Sequence, residues 1–231
     1  MLKSNLERYE MAENQIIESS SLLEEDTIGK VNGKQYKEEA YNTLYPERCR
    51  LDSLDSTERF EKILKIREDA QAEFQDVKSF NRKFVPLEKA MALVEKCQTG
   101  DPENPSRFFA NKLYQAVKDR FVGDKYILKF FSATGGTHLD VSHGIDCYFK
   151  LYDKESGKEL TRATIDLTQN PKKDKTKSDV LIYIKDEDRE KLDGSRGNNR
   201  FDPAFLKKVI EEETEKITNA MIENYQRRDS K

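Results

Sequence analysis

The sequence predicts an α/β or α+β protein, with a helical N-terminal region followed by a unit that runs from helix through strands back to helix. Three observations predict this. From residue 56 to 121 apolar residues recur at a period near 3.6, from 126 to 184 the period falls to two, and beyond 202 it returns to 3.6.

The elements follow in order. From Met1 to about Arg50 the chain is rich in Glu, Lys, Ser, Asn and Gln, with short apolar clusters at Ile16-Ile17 and Leu22-Leu23 and a turn signal at Asn32-Gly33. Helical pieces with loose connections are expected there. A helix starting at Ser56 or Thr57 gathers Phe60, Ile63, Leu64, Ala70, Phe74, Val77 and Phe84 mainly on one face. Pro86 breaks it and opens a second helix to Cys97, with Leu87, Ala90, Met91 and Val94 on a common face. The Gly/Pro-rich stretch from Thr99 to Pro105 is the expected boundary between a helical, partly extended region, 1–100, and an α/β domain, 106–226. Ser106 is placed to cap a helix reaching about Phe121, in which Phe108, Phe109, Leu113 and Val117 form the apolar stripe. Strands are expected from Tyr126 to Phe131, Ile145 to Tyr152, Leu160 to Thr168 and Val180 to Ile184. Asp202 and Pro203 then start a last helix whose stripe runs from Phe205 to Tyr225, and residues 227–231 read as a frayed tail.

Composition narrows the function classes. Charged residues make up 37% of the 231, against 35% hydrophobic, and the mean hydropathy is -0.89. An ordinary globular domain has about 25% charged residues, so part of this chain is expected to stay solvated. With 41 Lys+Arg against 44 Asp+Glu, no global basic field exists, and contact with a polyanion has to be local. No apolar run approaches the ~18–20 residues that cross a bilayer, and the N-terminus lacks a signal-peptide stretch, so a soluble, cytoplasmic protein with no membrane partner is expected. Cys49, Cys97 and Cys147 form no C-x-x-C pair and read as reduced thiols. His138 and His143 fit no zinc spacing, Thr134-Gly135-Gly136-Thr137 lacks the P-loop pattern, and no G-x-S-x-G element points to acyl transfer.

The informative segment runs from His143 to Thr168 and reads as a β-hairpin. With Glu155-Ser156-Gly157 as a three-residue loop and Gly157 left-handed, Lys154 faces Lys158, Tyr148 faces Thr164 and Asp146 faces Asp166. Ile145, Cys147, Phe149, Leu151, Ala163, Ile165 and Leu167 then share the apolar face. Opposed residues have Cβ atoms about 4.5–5.5 Å apart. At ~5 Å and an effective dielectric of ~20, two ionised carboxylates repel by roughly 3 kcal/mol. The pair therefore splays into water on a wet outer face, holds a proton, or holds a cation. The basic cluster from Lys172 to Lys177 follows directly and is placed to attract phosphates. Tyr148 and Tyr152 share the Asp146 face, either to stack on a nucleotide or to shield the hairpin edge.

These residues resemble the restriction-endonuclease-like, or PD-(D/E)XK, nuclease superfamily. The resemblance rests on Gly144-Ile145-Asp146, the hairpin, and Ile165-Asp166-Leu167-Thr168 with Lys172, Lys173 and Lys175 beyond, and covers about half the chain. It implies a small mixed sheet flanked by helices and Mg²⁺- or Mn²⁺-dependent cleavage of DNA or RNA. Asp146 and Asp166 are the implied metal ligands, Asp140 a third acid, and Lys172 or Lys173 the stabiliser of developing negative charge. The chain departs from the pattern at Thr168, where the superfamily places lysine, and at the helix-borne acid, for which residues 106–121 offer only Asp119. Two other readings stand beside it. One is a catalytically inactive nucleic-acid- or protein-binding module, motivated by Thr168. The other is a structural protein that forms homo-oligomers through its amphipathic helices, Thr57 to Phe84 and Asp202 to Tyr225.

Overall fold

A computed structural model of the chain describes residues 24–74, 84–121, 123–173, 176–194 and 199–229. The expectations for Ile16-Ile17, Leu22-Leu23, Val77 and Lys175 fall outside those residues. A four-stranded mixed sheet lies between two layers of helices, in the order β1 (Tyr126–Ser132), β2 (Cys147–Asp153), β3 (Glu159–Thr168), β4 (Val180–Tyr183). The first three strands form an antiparallel meander, and β4 pairs parallel to β3. No helix among the described residues is long and apolar enough to cross a membrane.

Side-chain caps account for several helix starts. Residues 24–28 are helical and belong to α1. α2 (Gly33–Leu44) is capped by Asn32, whose side chain accepts the Gln35 N–H. α3 (Ser56–Glu73) starts at Ser56, as expected, and is capped by Asp55, whose carboxylate accepts both the Thr57 and Glu58 N–H groups. Pro86 precedes α4 (Leu87–Lys96). α5 (Phe108–Lys118) starts one residue later than expected: Ser106 does not cap it, and Arg107 occupies the N-cap in extended conformation. α6 (His138–His143) is capped by Thr137, and α7 (Arg189–Leu192) precedes α8 (Pro203–Asp229), whose first N–H groups Asp202 accepts. α8 runs to Asp229, into the segment expected to fray, where Arg227 pairs with Glu223 and Arg228 with Glu159.

Two apolar cores result, one on each face of the sheet. On one face Phe149, Ala163, Ile165 and Leu167 meet Leu113 and Val117 of α5 and Ile210, Ile217 and Met221 of α8. The expected α8 stripe ends before Tyr225, which is exposed. On the other face Phe131, Ile145 and Tyr148 meet Met91 and Val94 of α4, with α2 and α3 behind. Residues on both sides of Gly100 share this second core, so the helices before the expected boundary are part of the sheet's packing.

The face expected to be wet is therefore covered. Tyr148 is fully buried, donates to Met91 O at 3.2 Å and stacks on Phe131, which removes it from any role in stacking on a nucleotide. At a second packing point, a Cβ on Gly194 would lie 2.9 Å from ring atoms of both Phe108 and Phe201. Gly194→Ala is expected to destabilise the fold by about 1–3 kcal/mol through overpacking, read as a lower urea midpoint at unchanged slope.

Candidate metal centre

The hairpin register holds where it matters and slips at both ends. Cys147 faces Ile165, Tyr148 faces Thr164 and Leu151 faces Thr161, as expected, but Tyr152 faces Glu159, so Leu160 is an extra residue. Gly157 is left-handed (φ 66°), while Lys154 donates its N–H to Lys125 O and does not face Lys158. The bulge confines that slip to the loop end.

At the other end, Asp146 leaves the ladder. Its N–H donates to O of Ile165, the residue Cys147 already faces, at 2.9 Å, so two consecutive residues lie against one. Asp146 is thus not strictly opposite Asp166. The same slip sends Ile145 to the second core, away from Cys147. The freed carboxylate accepts the Leu167 N–H at 2.6 Å.

This bulge sets Asp146 at the end of the sheet where β1 and β3 finish, and other elements bring further acids to it. The turn after β1 packs inward, with Thr134 donating to Gly29 O and Thr137 to Ala133 O, both at 2.6 Å. Asp140 follows on α6 and accepts the Gly136 N–H at 3.3 Å. Glu24 on α1 completes the group: one ligand oxygen each from Glu24, Asp140 and Asp146 all lie within 4.8 Å of one another. Glu24 is carried by the helical stretch 24–28. Asp119, at the C-cap of α5, is not in this group.

Asp166 stands beside the trio. Lys173 Nζ lies 2.6 Å from its Oδ2, and Thr176 donates to the same oxygen at 2.8 Å. The turn at Asn170, which accepts the Lys172 N–H on its side chain and the Lys173 N–H on its carbonyl, returns Lys173 to the site. The side chain of Lys172 is exposed. Thr168, at the expected lysine position, is buried and caps this turn through the Asn170 N–H.

Burial and like charge act together on the group. Burial, then the charge of Asp140, pushes Asp146 well above the ordinary carboxylate range, against the opposing Leu167 N–H, with Asp166 adding to the rise and Lys173 offsetting part of it. Burial and the charges of Asp146, Asp140 and Asp166 push Glu24 up in the same sense. Asp146 is 5% exposed and Asp166 3%, so neither reaches water to relieve the repulsion. The histidines lie elsewhere: His138 Nδ1 is 2.9 Å from the Tyr36 hydroxyl, and His143 Nε2 is 2.9 Å from Val85 O.

An all-oxygen set of carboxylates, converging from α1, α6 and the start of β2, fits a hard divalent cation. Of the expected ligands Asp140, Asp146 and Asp166, the first two lie in this cluster with Glu24, and Asp166 is engaged by Lys173 and Thr176. No family model, curated protein or solved structure matches the chain.

Proposed function

We propose that the protein is a metal-dependent nuclease that hydrolyses phosphodiester bonds of DNA or RNA, with Mg²⁺ or Mn²⁺ held by Glu24, Asp140 and Asp146. The observation that carries this reading is the convergence of those three carboxylates within 4.8 Å, beside an Asp166–Lys173 pair. When bound, the cation supplies an activated water and positive charge at the phosphate. The protein's own residues do the rest. Asp146, fixed by the Leu167 N–H, and Asp140, fixed by the Gly136 N–H, orient oxygens toward the centre. Lys173, oriented by Asp166, places its ammonium beside them, where it stabilises negative charge growing on phosphate oxygens. Exposed Lys172 and Lys177 lie on the same crossover and attract the nucleic-acid backbone.

The test is cleavage of labelled single- and double-stranded DNA and RNA with Mg²⁺ or Mn²⁺. Wild type is expected to cut at least one substrate, and Lys173→Ala to cut it about 10²-fold more slowly. Absence of cleavage on every substrate, together with absence of metal binding by calorimetry, would overturn the reading. Oligonucleotide binding without cleavage would favour the inactive binding module, for which Thr168 at the lysine position is the supporting observation.

A further inference from the structure

We propose that Phe84 and His143 form a stacking surface for an unpaired nucleobase beside the acidic cluster, a proposal that rests on the nucleic-acid reading above. Phe84 is 69% exposed, the most of any large hydrophobic side chain among the described residues. A lone exposed apolar residue is ordinary, but this one is held in place. The next residue, Val85, is buried in the second core, and Pro86 fixes the backbone angle that follows. The carbonyl of Val85 lies 2.9 Å from His143 Nε2. A carbonyl only accepts, so Nε2 carries the proton and the imidazole is tied to this segment. The Phe84 and His143 rings lie with centroids 5.4 Å apart, and Phe84 presents the pair to solvent.

The position of this pair argues for its occupant. His143 closes α6 three residues after Asp140, so the two stand on one face of the helix, about 5–6 Å apart at Cβ. Ser142, the residue before His143, accepts Lys177 Nζ on its carbonyl at 3.3 Å, and Lys177 is exposed. One turn of α6 thus gathers a carboxylate of the candidate metal centre, an ammonium and an aromatic pair. These match the parts of a nucleotide strand: a phosphate at the cluster, a neighbouring phosphate at Lys177 and a base on Phe84. Lys177, with exposed Lys172 on the same crossover, favours a polyanion over an apolar peptide or a second copy of this chain. The pair also selects the form of the nucleic acid. An aromatic ring stacks where a base offers a free face, and in a duplex those faces are covered by neighbouring pairs, so the surface takes single-stranded nucleic acid.

Fluorescence anisotropy of labelled oligonucleotides with the full chain, in EDTA so that binding is read apart from cleavage, tests this. Wild type is expected to bind a single strand more tightly than the duplex of the same sequence. Phe84→Ala is expected to weaken single-strand binding about tenfold, to leave duplex binding unchanged, and to bind a strand of abasic sites as wild type does. Phe84→Trp should restore the single-strand affinity. Because Phe84 is exposed, both variants are expected to keep the wild-type melting temperature. Lys177→Ala should instead weaken both forms alike and reduce the salt dependence by about one phosphate contact.

Unchanged single-strand affinity in Phe84→Ala, or an equal loss on the abasic strand, would overturn the stacking surface and leave the nuclease reading standing. So would a concentration-dependent mass that Phe84→Ala abolishes, which would show the ring covered by a second copy. Single-strand binding that depends on Phe84, without cleavage or metal binding, would support the surface and overturn the nuclease reading. No oligonucleotide binding at all would overturn both.

Discussion

Asp146→Asn is expected to reduce metal-dependent cleavage on the order of a thousandfold while making the metal-free protein more stable at alkaline pH. The second half of this expectation separates a site residue from a structural one. The amide keeps an oxygen to accept the Leu167 N–H, the one hydrogen bond that fixes this side chain against β3, and removes a charge set against Asp140 and Glu24. The sign follows from linkage. Burial and Asp140 raise the folded-state value of Asp146 to about 8, so between the ordinary carboxylate range and that value the folded protein binds more protons than the unfolded chain. The stability contributed by the protonated form is complete at acid pH and is lost as pH rises toward 8. Metal-free wild type should therefore melt at a lower temperature at pH 8 than at pH 6, and Asp146→Asn should lose part of that difference, the rest being carried by Glu24, which burial also raises. Mg²⁺ competes with the same protons, so its stabilisation of wild type should grow over the same interval. A metal-free wild type whose melting temperature rises from pH 6 to pH 8 would contradict the arrangement.

How far the site was legible in the sequence can be followed residue by residue. The change of period from 3.6 to two located all four strands, and the left-handed Gly157 fixed a register that holds from Cys147 to Leu151. That register brought Asp146 and Asp166 into one neighbourhood. Two things escaped it. A bulge is a one-residue event that leaves alternation intact on either side, so the extra residue at Asp146 and the transfer of Ile145 to the second core had no periodic signature. Glu24 was hidden for a different reason. It lies in a polar stretch of Glu-Glu-Asp whose pattern reads as solvated helix, and only contacts over a hundred residues away, from Ser132 and Thr134 to Gly29, carry it to the cluster. The same long-range logic covers the face that looked wet: α4 lies over it, and its polar residues find partners there.

Those partners support the second large expectation, that Lys150→Met destabilises the fold by about 3–5 kcal/mol. Lys150 is buried between Glu95 of α4 at 2.6 Å and Glu159 of β3 at 3.0 Å. Glu159 is also held by Arg162 at 2.6 Å and Arg228 at 2.9 Å, and Arg162 reaches Glu88 of α4 at 2.7 Å. Three cations and three carboxylates thus join α4, β2, β3 and α8 into one network. Burial alone would lower the Lys150 value, yet its two carboxylates raise it above the ordinary lysine value, so the ammonium is charged and satisfied. Methionine keeps most of the volume and leaves Glu95 with the Tyr148 hydroxyl, at 3.3 Å, as its remaining partner within this network. The cost is the uncompensated carboxylate, because replacing a whole buried pair by apolar groups is often close to neutral. Adding Glu95→Gln to Lys150→Met should therefore recover about 0.5–3 kcal/mol in a urea-denaturation cycle. Glu159 retains two arginines, so a matching Glu159→Gln double variant should recover less. Equal recovery from both would mean that burial of the strand, and not the charge left on α4, sets the loss.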